Sequence, residues 1–119
     1  MSTEEIVAFL KGWHTEKTPL GIAYQSPKGV AHVSFVGTLD QIATRLAFRS
    51  LGSSEGASVI FATGEIALAC CMEAGQDDIG PDQSFPGRYD NAVSIGGQMT
   101  VFILTFKDAG ILTLVELAR

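Results

Sequence analysis

Charged residues, cysteines and long apolar runs are all scarce in this chain, and each shortage excludes a class of protein. Only 18% of the 119 residues are charged, whereas disordered chains combine high net charge with low hydrophobicity. No run approaches the roughly 18 apolar residues that a membrane-spanning helix needs. The two cysteines, Cys70 and Cys71, are adjacent and cannot link distant segments through a disulfide bond. These absences predict a single domain, residues 1–119, that is stabilised by an apolar core.

The chain is acidic, with eight Lys or Arg residues against 13 Asp or Glu residues and a net charge of −5. This balance argues against nucleic-acid binding, which depends on a surplus of basic side chains. Near the N-terminus the sequence has Glu4 and Glu5, where a secretory signal would carry Lys or Arg. We therefore expect a cytoplasmic protein that binds neither nucleic acid nor a membrane.

The first element is predicted to be a helix that starts at a capping box formed by Ser2 and Glu5. Its apolar residues recur at the spacing of one buried helical face: Ile6, Phe9, Leu10 and Trp13. Thr18 and Pro19 mark the end of the helix.

Six further segments have the composition or the alternation of β-strands. They are residues 20–25, 30–36, 57–62, 66–72, 99–106 and 111–117. Turn residues predict hairpins between the first and second, the third and fourth, and the fifth and sixth of these strands. The last hairpin is apolar on both faces, and such a sheet has both faces covered.

Residues 38–51 are compatible with two structures. A helix is favoured, because Thr38 and Gln41 form a T-x-x-Q capping box and Gly52 supplies a stop signal. In that helix Phe48 points away from the apolar face and marks a contact surface. In the alternative, a strand, one face would carry Ile42, Leu46 and Phe48, and the other Arg45, Ala47 and Arg49.

The predicted fold is α+β: a mainly antiparallel sheet of five or six strands, with the N-terminal helix and a second helix at residues 38–51 packed on it. A small closed β-barrel is the alternative if residues 38–51 form a strand. The order of helix, hairpin, helix and further strands resembles that of profilin-like and Roadblock-type small domains. The resemblance implies this arrangement of elements and assigns no site residue.

A Gly- and Pro-rich loop at about residues 73–97 concentrates the acidity, with a local charge of −4 from five acidic residues and one basic residue. Its candidate binding residues are Asp77, Asp78, Asp82, Arg88, Tyr89 and Asp90. The three carboxylates at 77, 78 and 82 are oxygen ligands of the kind Ca²⁺ and Mg²⁺ prefer, although their spacing fits no EF-hand. An Arg, an aromatic residue and an acid side by side are typical of the anchors of protein interfaces, so we expect a protein partner at this loop.

A second candidate site is the pair Arg45 and Arg49, which spells R-x-x-x-R. The pattern resembles the first half of the PilZ-domain signature for cyclic di-GMP. The second half, D/N-x-S-x-x-G, is missing, because Asn91 stands one place too early before Ser94. The resemblance implies a sensor of a nucleotide second messenger in which paired guanidinium groups hold a phosphate.

Together these patterns favour a non-enzymatic binding or regulatory module that forms homo-oligomers. The apolar last hairpin requires cover, and no catalytic constellation is visible. One alternative is a small metal-dependent enzyme that uses the acidic loop, and another is the nucleotide sensor. No motif predicts a cofactor, and His14 and His32 lack the spacing of a zinc site.

Overall fold

A computed structural model of the chain describes residues 3–29, 31–50, 58–75, 94–95 and 98–117. Within these residues there is one α-helix, α1 (Thr3–Glu16). The strands are β1 (Leu20–Gln25), β2 (His32–Ile42), β3 (Arg45–Ser50), β4 (Ser58–Ala62), β5 (Ile66–Gly75), β6 (Ser94–Ile95), β7 (Gln98–Phe106) and β8 (Ile111–Glu116). Two short 3-10 turns, Pro27–Gly29 and Thr63–Glu65, lie between strands.

Seven strands form one antiparallel sheet in the order β4-β3-β2-β1-β8-β7-β5, and the two-residue strand β6 pairs with the beginning of β7. The α+β prediction is confirmed, with more strands than the five or six expected. Strands β4 and β5 stand at the two ends of this order, and no pairing joins them within the described residues. The sheet is therefore open, and the closed-barrel alternative is wrong.

Helix α1 contributes three buried side chains, Ile6, Leu10 and Trp13, to the core. Phe9, the fourth residue of the predicted stripe, is 46% exposed, because it lies at the border of the buried face. Its ring still packs 4.7 Å from the ring of Phe102 on β7. The predicted apolar stripe therefore faces the sheet, as its spacing indicated.

The end of α1 is a left-handed cap. Lys17 has a φ of 53°, and the amide of Thr18 donates a hydrogen bond to the carbonyl of Trp13 at 3.1 Å. This bond satisfies one of the terminal carbonyl groups and turns the chain towards β1. The helix stops directly before Thr18 and Pro19, where the sequence predicted its end.

The sheet curls around the helix. Helix α1 contacts both β2 and β5, which are separated in the sheet by β1, β8 and β7. In a flat sheet β2 and β5 would lie about 19 Å apart. A helix with its side chains is only about 10 Å wide, so the sheet must curve for both strands to reach it.

The prediction of a helix at residues 38–51 is wrong. Residues 38–42 complete β2, and β3 begins at Arg45 after a tight turn. In the strand Leu46 and Phe48 both point into the core and have no exposed surface, so the predicted contact surface at Phe48 is wrong too. Burying one such side chain contributes roughly 1.5–3 kcal/mol, more than the ~1 kcal/mol of a helix cap. With the second helix gone, the resemblance to profilin-like and Roadblock-type domains is lost.

Strands β4 and β5 do not form the predicted hairpin. Strand β4 pairs with β3, and β5 pairs with β7. The three-residue turn Thr63–Glu65 therefore leads from one edge of the sheet to the other. A connection this short is possible because the curled sheet brings its two edges together at this point.

The last hairpin matches its prediction. Strands β7 and β8 are antiparallel neighbours, with Val101 opposite Val115. On the core face Phe102 and Leu114 are buried, and on the other face Val101 and Val115 are buried as well. The two-sided apolar pattern therefore corresponds to a hairpin covered on both faces.

Candidate functional site

An open cleft of about 200 Å³ lies at one end of the sheet, where β4, the Thr63–Glu65 turn and the β7–β8 turn meet. Its lining residues are Tyr24, Ile60, Phe61, Ala62, Glu65, Phe106 and Asp108. Phe102, midway along β7, packs against Phe9 and Trp13 of the helix, and Phe106 lies four residues, or about 13 Å, further along the strand. The cleft is thus at the end of the core away from α1.

Three aromatic rings form the inner wall of the cleft. The rings of Phe61 and Phe106 are stacked, with centroids 5.2 Å apart and planes 14° from parallel. Tyr24 closes the corner, 5.0 Å from Phe61 with an interplanar angle of 58°. Tyr24 and Phe106 take their places because each is the last core-facing residue of its strand, and strand alternation continues the buried faces of β1 and β7.

Two exposed carboxylates, those of Glu65 and Asp108, stand at the rim of the cleft. Their backbones are held together, because the amide of Lys107 donates to the carbonyl of Glu65 at 2.8 Å. The side chain of Asp108 is also fixed, since its Oδ1 accepts a hydrogen bond from the amide of Gly110 at 2.8 Å. The acidic rim therefore belongs to ordered turns.

The opposite side of the Thr63–Glu65 turn is fixed to the β2–β3 connection. The amide of Thr63 donates to the carbonyl of Thr44 at 3.0 Å, and the hydroxyl of Thr63 donates to the carbonyl of Ala43 at 3.0 Å. With the bond from Lys107 to Glu65, the turn is tied on both sides. The cleft is therefore preformed, and binding in it would not require its walls to be ordered first.

The electrostatic character of the cleft is acidic. The pKa of Tyr24 is raised above its ordinary value of 10.0, first by burial and second by the negative charge of Asp108. Both causes favour the neutral phenol. At neutral pH the cleft therefore presents a neutral hydroxyl, aromatic faces and two carboxylates.

The side chains that line the cleft are of kinds that can bind a ligand. None of the cleft residues is a serine, cysteine or histidine that could act as a nucleophile or as a base near neutral pH. Across the described ranges, no three His, Cys, Asp or Glu side chains cluster in a way that could hold a metal ion. Aromatic faces beside fixed carboxylates can instead select a ligand by its charge and shape.

The candidate residues predicted in the acidic loop lie outside the described residues: Asp77, Asp78, Asp82, Arg88, Tyr89 and Asp90. Of the predicted loop at 73–97, residues 73–75 belong to β5 and residues 94–95 to β6. The roles of the six residues stay predictions.

Arg45 and Arg49 are exposed and lie on one face of β3. Four residues along a strand correspond to about 13 Å, so the two guanidinium groups start from well-separated positions. Nη2 of Arg49 lies 3.5 Å from Oδ2 of Asp40, and both side chains of this ion pair are about half exposed. The strand places the two residues farther apart than the predicted helix at residues 38–51 would have done. Phosphate binding by this pair stays a prediction.

Strand β5 is the second notable surface, because among the described residues it ends the sheet order and is the longer of the two edge strands. A bulge at Ala67 is followed by an unbroken register with β7 over residues 68–75. Leu68, on this strand, is 62% exposed. The strand contains no Lys, Arg or Pro, and Glu73 is its only charged residue.

Sequence reasoning missed the cleft entirely, because its residues are far apart in the chain. Tyr24, Phe61 and Phe106 come from three strands that converge only when the sheet curls. One local signal was present: Gly110 is needed because a Cβ there would lie 2.6 Å from the hydroxyl oxygen of Tyr24. A glycine at this point of a hairpin turn is too common to have identified a site.

Comparison of the chain with protein-family models, with curated proteins and with solved structures finds no match in any of the three. Within the described part of the chain, no helix has the length and apolar character needed to cross a membrane.

Proposed function

We propose that this chain is a non-enzymatic binding module that assembles into a dimer through strand β5, with a second copy of itself as the partner. The observation that carries the proposal is the exposure of Leu68, at 62%, on the long edge strand of the sheet. An exposed leucine on an interior strand would be unremarkable, but on an edge strand it lies beside backbone groups that can pair with another chain.

The composition of β5 favours pairing of this edge with another strand, because the residues that usually prevent such pairing are missing from it. Proteins that keep an edge strand from pairing commonly place Lys or Pro on it, and β5 has neither. The regular stretch of residues 68–75 spans about 26 Å, long enough for several inter-strand hydrogen bonds. With Glu73 as its only charge, the strand can lie against a copy of itself with little repulsion.

A second copy is the partner that this edge fits best. Two antiparallel β5 strands related by a two-fold axis would continue the sheet from one protomer into the other, and such an interface closes after two subunits. Phe48, Val101 and Val115 are buried within the chain, and Ile60, which is 54% exposed, lies on the other edge strand, β4. The edge at β4 is shorter, with only five residues.

Light scattering after size exclusion tests the proposal. The wild type is expected at twice the 12.6 kDa of one chain, and Leu68→Lys at the monomer mass, because each dimer would bring two new charges to the shared edge. Val33→Lys is the matched control, since Val33 is 44% exposed but lies on β2, which three strands separate from β5 in the sheet order. A wild type that stays monomeric at the highest concentration reached, or a Leu68→Lys variant that stays dimeric, would contradict the proposal.

A further inference from the structure

We propose that the aromatic cleft binds an organic cation, an alkylammonium or guanidinium group, between the rings of Tyr24 and Phe61 and the carboxylates of Glu65 and Asp108. This inference goes beyond the proposed self-association, and it depends on different residues. Four observations support it: the volume of the cleft, the geometry of its rings, its charge and its rigidity.

The volume determines how much of a ligand can enter. The cleft measures about 200 Å³, whereas pockets for drug-sized ligands and cofactors measure roughly 300–1,000 Å³. It therefore accommodates one compact group, such as the head of a small amine or the end of a basic side chain. It is smaller than the pockets that enclose a whole cofactor.

The rings offer the faces that a cation prefers. Phe61 is only half-buried, and Tyr24 is tilted 58° from it at a centroid distance of 5.0 Å. Two rings at such an angle form a corner in which a single cation can lie near both centroids, within the ~6 Å over which the ring quadrupole attracts it. Phe106, stacked behind Phe61, fixes the position of this corner.

The charges at the rim select the sign of the ligand. Glu65 and Asp108 both line the cleft, and the whole chain has a net charge of −5, which repels anions and attracts cations over a longer range. Lys107 directly precedes Asp108 in the sequence and is exposed, so its positive charge partly offsets the negative charge of the two carboxylates. Its removal should therefore strengthen cation binding, which makes it a useful control.

The cleft is ready to bind without rearrangement. The backbone bond from Lys107 to Glu65 and the two bonds from Thr63 hold both of its sides. The Asp108 carboxylate keeps its bond to the Gly110 amide and still has a second oxygen for a ligand. A preformed site loses less entropy on binding than one assembled from mobile side chains.

The test is an NMR titration of the full chain with choline and with 3,3-dimethylbutan-1-ol, its uncharged isostere. We expect choline to bind at least about tenfold more tightly, since cation–π and carboxylate contacts act only on the charged ligand. Its N-methyl protons should shift upfield, because they lie over aromatic rings. Equal affinity for the two compounds, or no binding of choline at millimolar concentration, would overturn the proposal.

Variants locate the binding in the cleft. Glu65→Gln with Asp108→Asn, both at exposed positions and both able to keep the turns intact, should weaken choline binding by about tenfold. Phe61→Leu should weaken it by about two- to fivefold. Lys107→Gln is the matched control and should bind choline at least as tightly as the wild type. Unchanged affinity in the Glu65→Gln/Asp108→Asn variant would overturn the assignment of the site.

Two further ligands distinguish the sources of the cation. If the cleft receives a free amine, butylammonium should bind as tightly as the acetylated and amidated peptide Gly-Lys-Gly. If it receives a protein side chain, the peptide should bind more tightly, because its backbone adds contacts along β4. Light scattering on the same samples separates this proposal from self-association, since choline selectivity and dimer mass are independent readouts.

Discussion

Replacing Gly110 by alanine is expected to destabilise the chain by about 2 kcal/mol, the typical cost of adding one methyl group to a filled space. An added Cβ would lie 2.6 Å from the Tyr24 hydroxyl oxygen, 3.0 Å from Oδ1 of Asp108 and 3.1 Å from Cε2 of Tyr24. The first distance is shorter than real Cβ atoms tolerate, so the tyrosine or the turn must move.

Neither can move freely. The Tyr24 ring packs 5.0 Å from Phe61 and 6.3 Å from Phe106, and a shift would disturb both aromatic contacts. The turn is held by two hydrogen bonds: the Gly110 amide donates to the Asp108 carboxylate, and the Phe106 amide donates to the Gly110 carbonyl. Relieving the clash would therefore disturb either the aromatic contacts of Tyr24 or the hydrogen bonds of the turn.

A double-mutant cycle attributes the cost to the hydroxyl. Tyr24→Phe removes the atom at 2.6 Å and leaves the contacts at 3.0 and 3.1 Å. Gly110→Ala should then cost only about 1 kcal/mol, which gives a coupling energy of about 1 kcal/mol between the two positions. In the wild-type background the melting temperature should fall by about 8 °C.

Urea unfolding followed by tryptophan fluorescence measures these values, because Trp13 is the only tryptophan and is buried against the sheet. Gly12→Ala is the matched control: it lies on the exposed side of α1 with nothing within 4 Å of an added Cβ. There the same substitution should stabilise the chain by about 0.5–1 kcal/mol. If Gly110→Ala costs the same with tyrosine or phenylalanine at position 24, the reasoning about the cleft is refuted.

Two other perturbations follow from the same structure. Gly37→Ala should destabilise the chain by about 3 kcal/mol or more, because an added Cβ would overlap the carbonyl oxygen of Arg49 and the clash is between two backbones; a urea midpoint close to that of the wild type would contradict it. The raised pKa of Tyr24 predicts an alkaline loss of stability. Because the folded state holds the phenolic proton more tightly, the stabilisation is complete below about pH 10 and is lost as pH rises through the folded pKa. Tyr24→Phe should lack this loss in urea titrations, and Asp108→Asn should reduce it; equal pH profiles in all three proteins would argue against it.

Local patterns predicted most of the secondary structure. Strand β1 has its predicted limits, 20–25, and the other predicted strands differ from the observed ones mainly at their ends. Strand β2 is the exception, because it continues to Ile42. These segments were predictable because strand alternation and turn residues act over a few neighbouring positions.

Residues 38–51 show why local signals can mislead. The capping pattern at Thr38 and Gln41 was present, but it competes with the pairing of β2 to β3 and of β3 to β4. Phe48 was the one residue that the helix left unexplained, and it is also the residue that the strand buries completely. A bulge at Asp40 lets β2 bend while it follows β3, and no sequence pattern had indicated it.

The topology and the cleft could not be predicted in the same way. The pairing of β1 with β8, and the placement of β4 and β5 at opposite edges, depend on contacts between residues far apart in sequence. The cleft depends on the same long-range contacts, since Tyr24, Phe61 and Asp108 meet only after the sheet has curled. The acidic residues at 77–90 were conspicuous in composition, but composition alone does not place side chains together.

Hydrogen exchange at two protein concentrations tests self-association through β5 most directly. Amides in residues 66–75 should exchange more slowly at the higher concentration, because pairing with a second copy protects the edge, while residues 20–25 on β1 should not change, since that strand already has neighbours on both sides. Unchanged exchange in residues 66–75, across a range in which the mass doubles, would contradict the account.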